Sequence, residues 1–239
     1  MTSVVLENDR LRAVFLPEWG GRLWDLFDTS VPICRWTNAA VLESEHSPVL
    51  APADSVVASS SEGGIPRVPV ATGTSATTNV TDWTRPWEHF RARDFSFDIA
   101  PKQRPWILAA DRDGDGLAMP SSSELRGCKL IVWGRGACGK RWQRWLTPCG
   151  GEYPEIRAGL AQTQFPHLEM PAGVEWTWVE ACGNAQLSPL LAHGTHWPSA
   201  VAHAGERIAT ALERARRSRC GLRGLLLSPG HDATCRWRS

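Results

Sequence analysis

The chain has 239 residues, a net charge of +1 and an unusual aromatic content of 13 Trp, 6 Phe and 1 Tyr. This length predicts one domain with a substantial core. The near-neutral charge gives no global electrostatic reason to expect nucleic acid or an anionic membrane as a partner. The seven cysteines show no C-x-x-C pair, which argues against a zinc site and against a secreted disulfide framework.

The N-terminus lacks a basic segment followed by an apolar stretch, so no signal peptide is expected. No window approaches the roughly 20 apolar residues of a membrane span. These features predict a cytoplasmic protein without membrane contact.

The first half of the chain is predicted to form short strands. Residues Leu11–Leu16 and Arg22–Phe27 flank the turn Pro17–Gly21, which is typical of a hairpin. A weaker apolar run covers Val49–Val57, and loops rich in small polar residues follow it.

Further strands are predicted at Trp106–Ala110, Lys129–Trp133 and, by alternation, Trp176–Glu180. Short strands separated by Gly and Pro turns indicate an all-β sandwich. Asp111–Gly116 has the start of a calcium loop, but Ser122 stands where such a loop needs a bidentate Glu. A turn with positive φ is therefore predicted there.

The C-terminal part differs from the rest. A helix is predicted over 198–217, because apolar residues recur at helical spacing (Val201, Ala204, Ile208, Ala211, Leu212 and Ala215). Residues 1–197 would then form the sandwich domain, and 218–239 a disordered or weakly packed tail. The arginines near the helix end are interpreted as a solvated surface.

A glycine pattern follows the predicted strand Lys129–Trp133. Residues 134–140 read GRGACGK, which satisfies G-x-G-x-x-G and nearly satisfies the P-loop pattern. Arg141 stands where a P-loop needs a hydroxyl, and the segment RWQRWL looks too short and too rich in Trp for the required helix. The pattern is interpreted as a connection between two strands, and no nucleotide, metal or other cofactor is expected.

Aromatic residues gather near an isolated acid. The candidates for a stacking platform for sugar are Trp133, Trp142, Trp145, Trp176 and Trp178. Trp142 and Trp145 are the better exposed candidates, because the flanking Arg141 and Arg144 would bring one face of them to water. Glu155 is predicted on a short strand between turns. Flat rings beside a carboxylate suit a ring-shaped polar ligand, although such rings often belong to the core.

Several segments together resemble one bacterial family. They are LENDRLRAVFLPEWGGRLWDLFD, RWTNAAV, VLAPAD, RPWILAADRDGDGL and the block Lys129–Glu180, and they cover most of residues 4–183. The family is an uncharacterised domain with a galactose-mutarotase-like fold, usually placed before tetratricopeptide repeats. The resemblance implies a β-supersandwich with the carbohydrate-associated surface of the aldose-epimerase superfamily.

The resemblance also implies roles for particular residues. In aldose 1-epimerases a Glu removes the anomeric hydroxyl proton and a His protonates the ring oxygen. The segment Pro154–Arg157 resembles the one that carries this Glu, which makes Glu155 the candidate catalytic base. Asn38 matches a pocket segment and is a candidate substrate contact, but Ala39 stands at the position of the His and cannot donate a proton.

A larger departure from the family than the one at Ala39 is the length of the segment after the first hairpin. Only residues 29–35 separate the first hairpin from the W-T-N segment, where the family has a long run of strands and loops. Much of the first sheet is therefore predicted to be missing from an internally deleted copy. Such a loss predicts an exposed apolar face or unpaired strand edges.

Three interpretations stay open from the sequence. The leading one is a carbohydrate-associated module that binds sugar or is a remnant. The second is an epimerase-like or glycoside-processing enzyme that uses Glu155. The third is a scaffold whose C-terminal helix docks a helical-repeat protein.

Overall fold

The computed structural model describes residues 2–7, 9, 11–19, 22–28, 35–37, 48–58, 67–69, 91–146, 153–165, 167–194 and 196–217. Its strands form three antiparallel sheets. Sheet A has the order β1–β2–β3–β4, with β1 Val4–Glu7, β2 Leu11–Leu16, β3 Arg22–Asp28 and β4 Arg35–Thr37. The all-β prediction is confirmed.

The chain passes back and forth between sheets B and C, with one to three successive strands in each sheet before it crosses. Sheet B has the order β13–β10–β9–β5, with β5 Val49–Leu50, β9 Trp106–Ala110, β10 Gly116–Pro120 and β13 Gly183–Asn184. Sheet C has the order β12–β11–β8–β6–β7, with β6 Ala53–Ala58, β7 Arg67–Pro69, β8 Arg93–Ile99, β11 Lys129–Val132 and β12 Pro154–Arg157. The helices are α1 Ala137–Leu146, α2 Pro189–Ala192 and α3 Trp197–Arg217.

The predicted N-terminal hairpin is confirmed. Strands β2 and β3 pair antiparallel across a 3-10 turn at Pro17–Trp19, with a register shift between Val14 and Phe15. The apolar run Val49–Val57 is instead divided between two sheets. Pro52, which has no backbone N–H to donate, lies between β5 and β6, and the Ala53 N–H donates to the Ala51 carbonyl in a tight turn.

The predicted turn at Asp111–Gly116 joins β9 to β10. Gly114 has a φ of +83°, a backbone conformation that residues with a Cβ rarely adopt. The Asp111 Oδ1 accepts hydrogen bonds from the N–H groups of Asp113 and Asp115 at 2.9 and 3.0 Å. The acidic side chain therefore closes its own turn.

One hydrophobic core is shared by sheet B, sheet C and α3. Phe95 and Phe97 of sheet C, Ile107 and Leu108 of sheet B, and Ala204 of α3 are all essentially inaccessible to water. The whole of β9 is buried, which requires cover on both of its faces.

Helix α3 helps to provide that cover. A Cβ placed on Gly205 would lie 4.0 Å from the Trp106 ring. The Trp197 indole N–H donates to the Ala53 carbonyl at 3.1 Å. The predicted C-terminal helix is thus confirmed, and its apolar side faces the core of its own chain.

Two predictions are wrong. Residues 137–146, taken as part of a strand connection, form helix α1. The alternating segment Trp176–Glu180 is not a strand: Glu180 makes an isolated bridge to Ser121, and the residues before it are irregular. Alternation creates a strand only where a partner strand supplies hydrogen bonds, and Ser121 is the one bridge partner within the described part of the chain.

Sheet A differs from the other two sheets in its burial. Those of its side chains whose burial is described lie outside the shared core cluster, although Leu16 and Asp25 are themselves buried. Val4, Val5 and Leu6 of β1 are 45 %, 42 % and 56 % exposed. None of the described helices has the length and apolar character of a membrane span.

Candidate functional site

The candidate site is built where β11 leads into α1. The strand ends at Val132, and a short turn then leads into the helix. A Cβ on Gly139 would lie 2.2 Å from the Trp133 carbonyl oxygen and 2.3 Å from that of Gly134. Only a glycine at position 139 lets the helix pack this closely against the end of the strand.

Gln143 fixes the inner side of α1. Its side chain is 5 % exposed, and its amide donates to the Gly134 carbonyl at 3.3 Å. Its carbonyl oxygen accepts the Tyr153 N–H at 2.9 Å, just before β12. One buried amide thus ties the helix both to the turn before it and to the neighbouring strand.

Three tryptophans form a ladder on the other side of this helix. The ring centroids of Trp133 and Trp142 are 5.4 Å apart, and those of Trp142 and Trp145 are 5.0 Å apart. These distances and the tilted ring planes are those of attractive aromatic pairs. Trp142 is 42 % exposed and Trp145 is 68 % exposed. The ladder therefore runs from the end of the strand out to the solvent.

Glu155 lies at the base of the ladder. Its Oε1 accepts a hydrogen bond from the Trp133 indole N–H at 3.1 Å, and its Oε2 pairs with the Arg157 guanidinium at 2.6 Å. The Glu155 side chain is 18 % exposed. A carboxylate held by two donors in this way orients the Trp133 ring and has its charge balanced locally.

Tyr153 completes the polar base of the site. Burial raises the pKa of its phenol to about 12, and the negative charge of Glu155 adds to the shift. The phenol therefore stays protonated at neutral pH and can only act there as a neutral hydrogen-bonding group.

The charges on α1 are of one sign. The helix carries Lys140, Arg141 and Arg144 and has no acidic residue. Arg141 and Arg144 are exposed. The helix that carries Trp142 and Trp145 is therefore positively charged.

The glycine pattern does lead into a helix, contrary to the expectation. A dinucleotide site, however, needs a parallel strand–helix–strand unit. Strand β11 pairs antiparallel with both β8 and β12. The prediction of a strand connection is wrong at this helix, whereas the predicted all-β surroundings are confirmed.

The histidines near α3 have structural partners. His193 Nε2 lies 2.8 Å from the Asp111 carbonyl oxygen. His196 Nδ1 accepts the Ser199 N–H at 3.3 Å, which caps the first turn of α3. No group of three or more His, Cys, Asp or Glu in the described ranges is arranged to hold a metal ion.

The structure brings together four of the residues singled out from the sequence, namely Trp133, Trp142, Trp145 and Glu155. Arg141 lies on the same helix as two of the rings. The candidates Trp176 and Trp178 lie instead on the irregular segment before Glu180. The candidate contact Asn38 lies outside the described residues.

Three residues of the site were missed. Arg157 could have been found from its spacing, because residues i and i+2 of a strand share a face and Glu155 is its neighbour on β12. Gln143 and Tyr153 act through contacts that join α1 to β12, and no local pattern in the sequence reveals such contacts.

No protein-family model, curated protein or solved structure matches the chain. The resemblance to the mutarotase-like family therefore stays a prediction.

Proposed function

We propose that this protein is a carbohydrate-binding module that holds its ligand on the Trp133–Trp142–Trp145 ladder. The observation that carries the proposal is the exposed Trp145 ring, supported from behind by Trp142 at 5.0 Å. The face of an indole is electron-rich, and the C–H groups on one side of a pyranose ring pack well against it. The supporting ring lowers the entropy that Trp145 would lose on binding.

The pairing of Glu155 favours binding over catalysis. A general base needs a lone pair directed at the substrate proton. The two oxygens of Glu155 instead face the Trp133 indole and the Arg157 guanidinium. We therefore assign Glu155 a positioning role, in which it holds the innermost ring of the ladder.

The packing of α3 argues against the scaffold interpretation. Trp197, Ala200, Ala204 and Ile208 belong to the core of the chain itself. The apolar side that would have docked a helical-repeat protein is thus already occupied.

The proposal is tested by titrating the protein with a panel of oligosaccharides and following Trp fluorescence. Trp145→Ala should weaken binding about five- to tenfold, because it removes the exposed stacking surface. Trp178→Ala is the matched control, since Trp178 is 46 % exposed on the irregular segment before Glu180. The proposal fails if no saccharide changes the fluorescence, or if Trp178→Ala weakens binding as much as Trp145→Ala.

Catalysis is tested separately with Glu155→Gln. On the binding proposal, no sugar turnover is found in either protein, and the variant keeps most of its affinity. Turnover by the unmodified chain that is lost in Glu155→Gln would establish the enzyme interpretation instead.

A further inference from the structure

The exposed surface around the ladder carries positive charge as well as aromatic rings. Trp142 and Trp145 are three positions apart on α1, and Arg141 is four positions before Trp145. Residues at these spacings are neighbours on a helix surface. By this spacing the exposed Arg141 is a neighbour of the exposed Trp145, and the exposed Arg144, three positions after Arg141, is a neighbour of Arg141.

These two arginines are available to a ligand. Neither has a hydrogen-bond or ion-pair partner among the described residues. The helix itself carries no acid that would neutralise them. The carboxylate of the site, that of Glu155, is already paired with Arg157 at 2.6 Å.

We infer that the ligand of this site is an acidic saccharide, one that carries carboxylate or sulfate groups. The inference rests on the proposed function and adds the class of sugar to it. A ring stacked on Trp145 would place its acidic substituent towards Arg141, with Arg144 next to that arginine on the helix surface. Guanidinium groups bind carboxylate and sulfate oxygens through paired hydrogen bonds, which are stronger than those to neutral hydroxyls.

A single-stranded nucleic acid is a poorer fit to the same surface. Such ligands need several separate rings on which successive bases stack, together with a cationic groove along the backbone. Here the three rings lie against each other, with centroids 5.4 and 5.0 Å apart. The net charge of the whole chain is only +1.

The test compares ligands that differ only in charge. Oligogalacturonate and its methyl ester have the same sugar ring, and dextran sulfate and dextran provide the corresponding pair for sulfate. At about 50 mM salt, where charges are weakly screened, at least one acidic ligand should bind about tenfold more tightly than its neutral partner. The pair that shows the difference identifies the acidic group.

Variants separate the contribution of the arginine charges to binding from that of the Trp145 ring. Arg141→Gln together with Arg144→Gln should reduce the affinity for the acidic ligand to that for the neutral one. Trp145→Ala should weaken both ligands by a similar factor. Arg112→Gln, in the exposed turn between β9 and β10, is the control and should change neither. Circular dichroism of each variant verifies that it is folded.

Three results would overturn the inference. Equal affinity for the acidic and neutral partners would remove the charge preference and leave the binding function standing. Binding of no saccharide would remove both. Tighter binding of a single-stranded oligonucleotide, lost in the double arginine variant, would show a nucleic-acid surface.

Discussion

Similar apolar strands are exposed in sheet A and buried in the unit formed by sheets B and C. Strand β9 has apolar residues on both faces, and all of them are buried beneath α3 and the neighbouring strands. Strand β1 also has apolar residues on both faces, yet Val4, Val5 and Leu6 are all exposed. An apolar strand is thus not enough to make a core. A second layer has to cover it.

The largest expected effect is a difference in stability loss when a Phe is replaced by Ala in each of the two regions. Phe97→Ala should lower the free energy of unfolding by about 3–5 kcal/mol, because Phe97 is fully buried in the shared core and its removal leaves a cavity. Phe27→Ala on β3, where Phe27 is only partly buried, should cost less than half as much. Urea denaturation measures both, and equal losses would contradict the distinction between the regions.

A second prediction concerns the close packing of α1 at the end of sheet C. Gly139→Ala should destabilise the protein by about 1–3 kcal/mol, since its Cβ would meet two backbone carbonyl oxygens. The near-UV circular dichroism of the Trp ladder should change with it. Gly159→Ala is the control, because the nearest atom to its Cβ is the Lys129 Nζ at 4.0 Å. An unchanged spectrum for Gly139→Ala would mean that the helix is not held against the strand.

The third prediction uses alkaline pH to test the burial of two thiols. Burial raises the pKa of Cys128 and of Cys182 from 9.0 to about 12. Above pH 9 the unfolded chain loses these protons before the folded chain does, so stability falls as the pH rises towards 12. The expected loss at pH 10 is about 1 kcal/mol for Cys128, which is buried, and less for Cys182, which is only partly buried.

Chemical denaturation at pH 8 and pH 10 measures this loss. Cys128→Ala should reduce the difference between the two values. Cys138→Ala should leave it unchanged, because Cys138 is exposed on α1. A Cys128→Ala protein with the full alkaline loss would show that the buried thiol is not its source.

The smallest effect is expected on β1. Val5→Lys should change the free energy of unfolding by no more than about 0.5 kcal/mol, because Val5 is already 42 % exposed. The added charge should also reduce self-association, since β1 is an edge strand with exposed apolar residues. Sedimentation at rising concentration measures this. A loss of stability as large as that of Phe97→Ala would mean that β1 is covered after all.

Much of the sheet structure could be predicted from local patterns. The hairpin around Pro17, the buried runs at Trp106 and Lys129, and the turn at Asp111 each carry their signal within a few residues. Helix α1 could not be predicted in the same way. Its sequence begins beside glycines and contains two Trp, and it is held in place by Gln143 and by the close approach at Gly139.

The site shows the same limit. Trp142 and Trp145 meet because of helical spacing, which is local once the helix is known. Trp133 joins them only because α1 folds back over the end of β11. The bond between Trp133 and Glu155 spans two strands and 22 positions. The residue types alone mark these side chains as candidates, but their geometry depends on tertiary packing.

The bond between Trp197 and Ala53 joins positions 144 residues apart. During synthesis Ala53 leaves the ribosome well before Trp197, because the chain emerges from its N-terminus. The strands that α3 packs against, in sheets B and C, must then stay incompletely covered until this helix has been made. A chain that ended before Trp197 would keep this apolar surface exposed. We expect cellular quality control to bind and degrade such a chain.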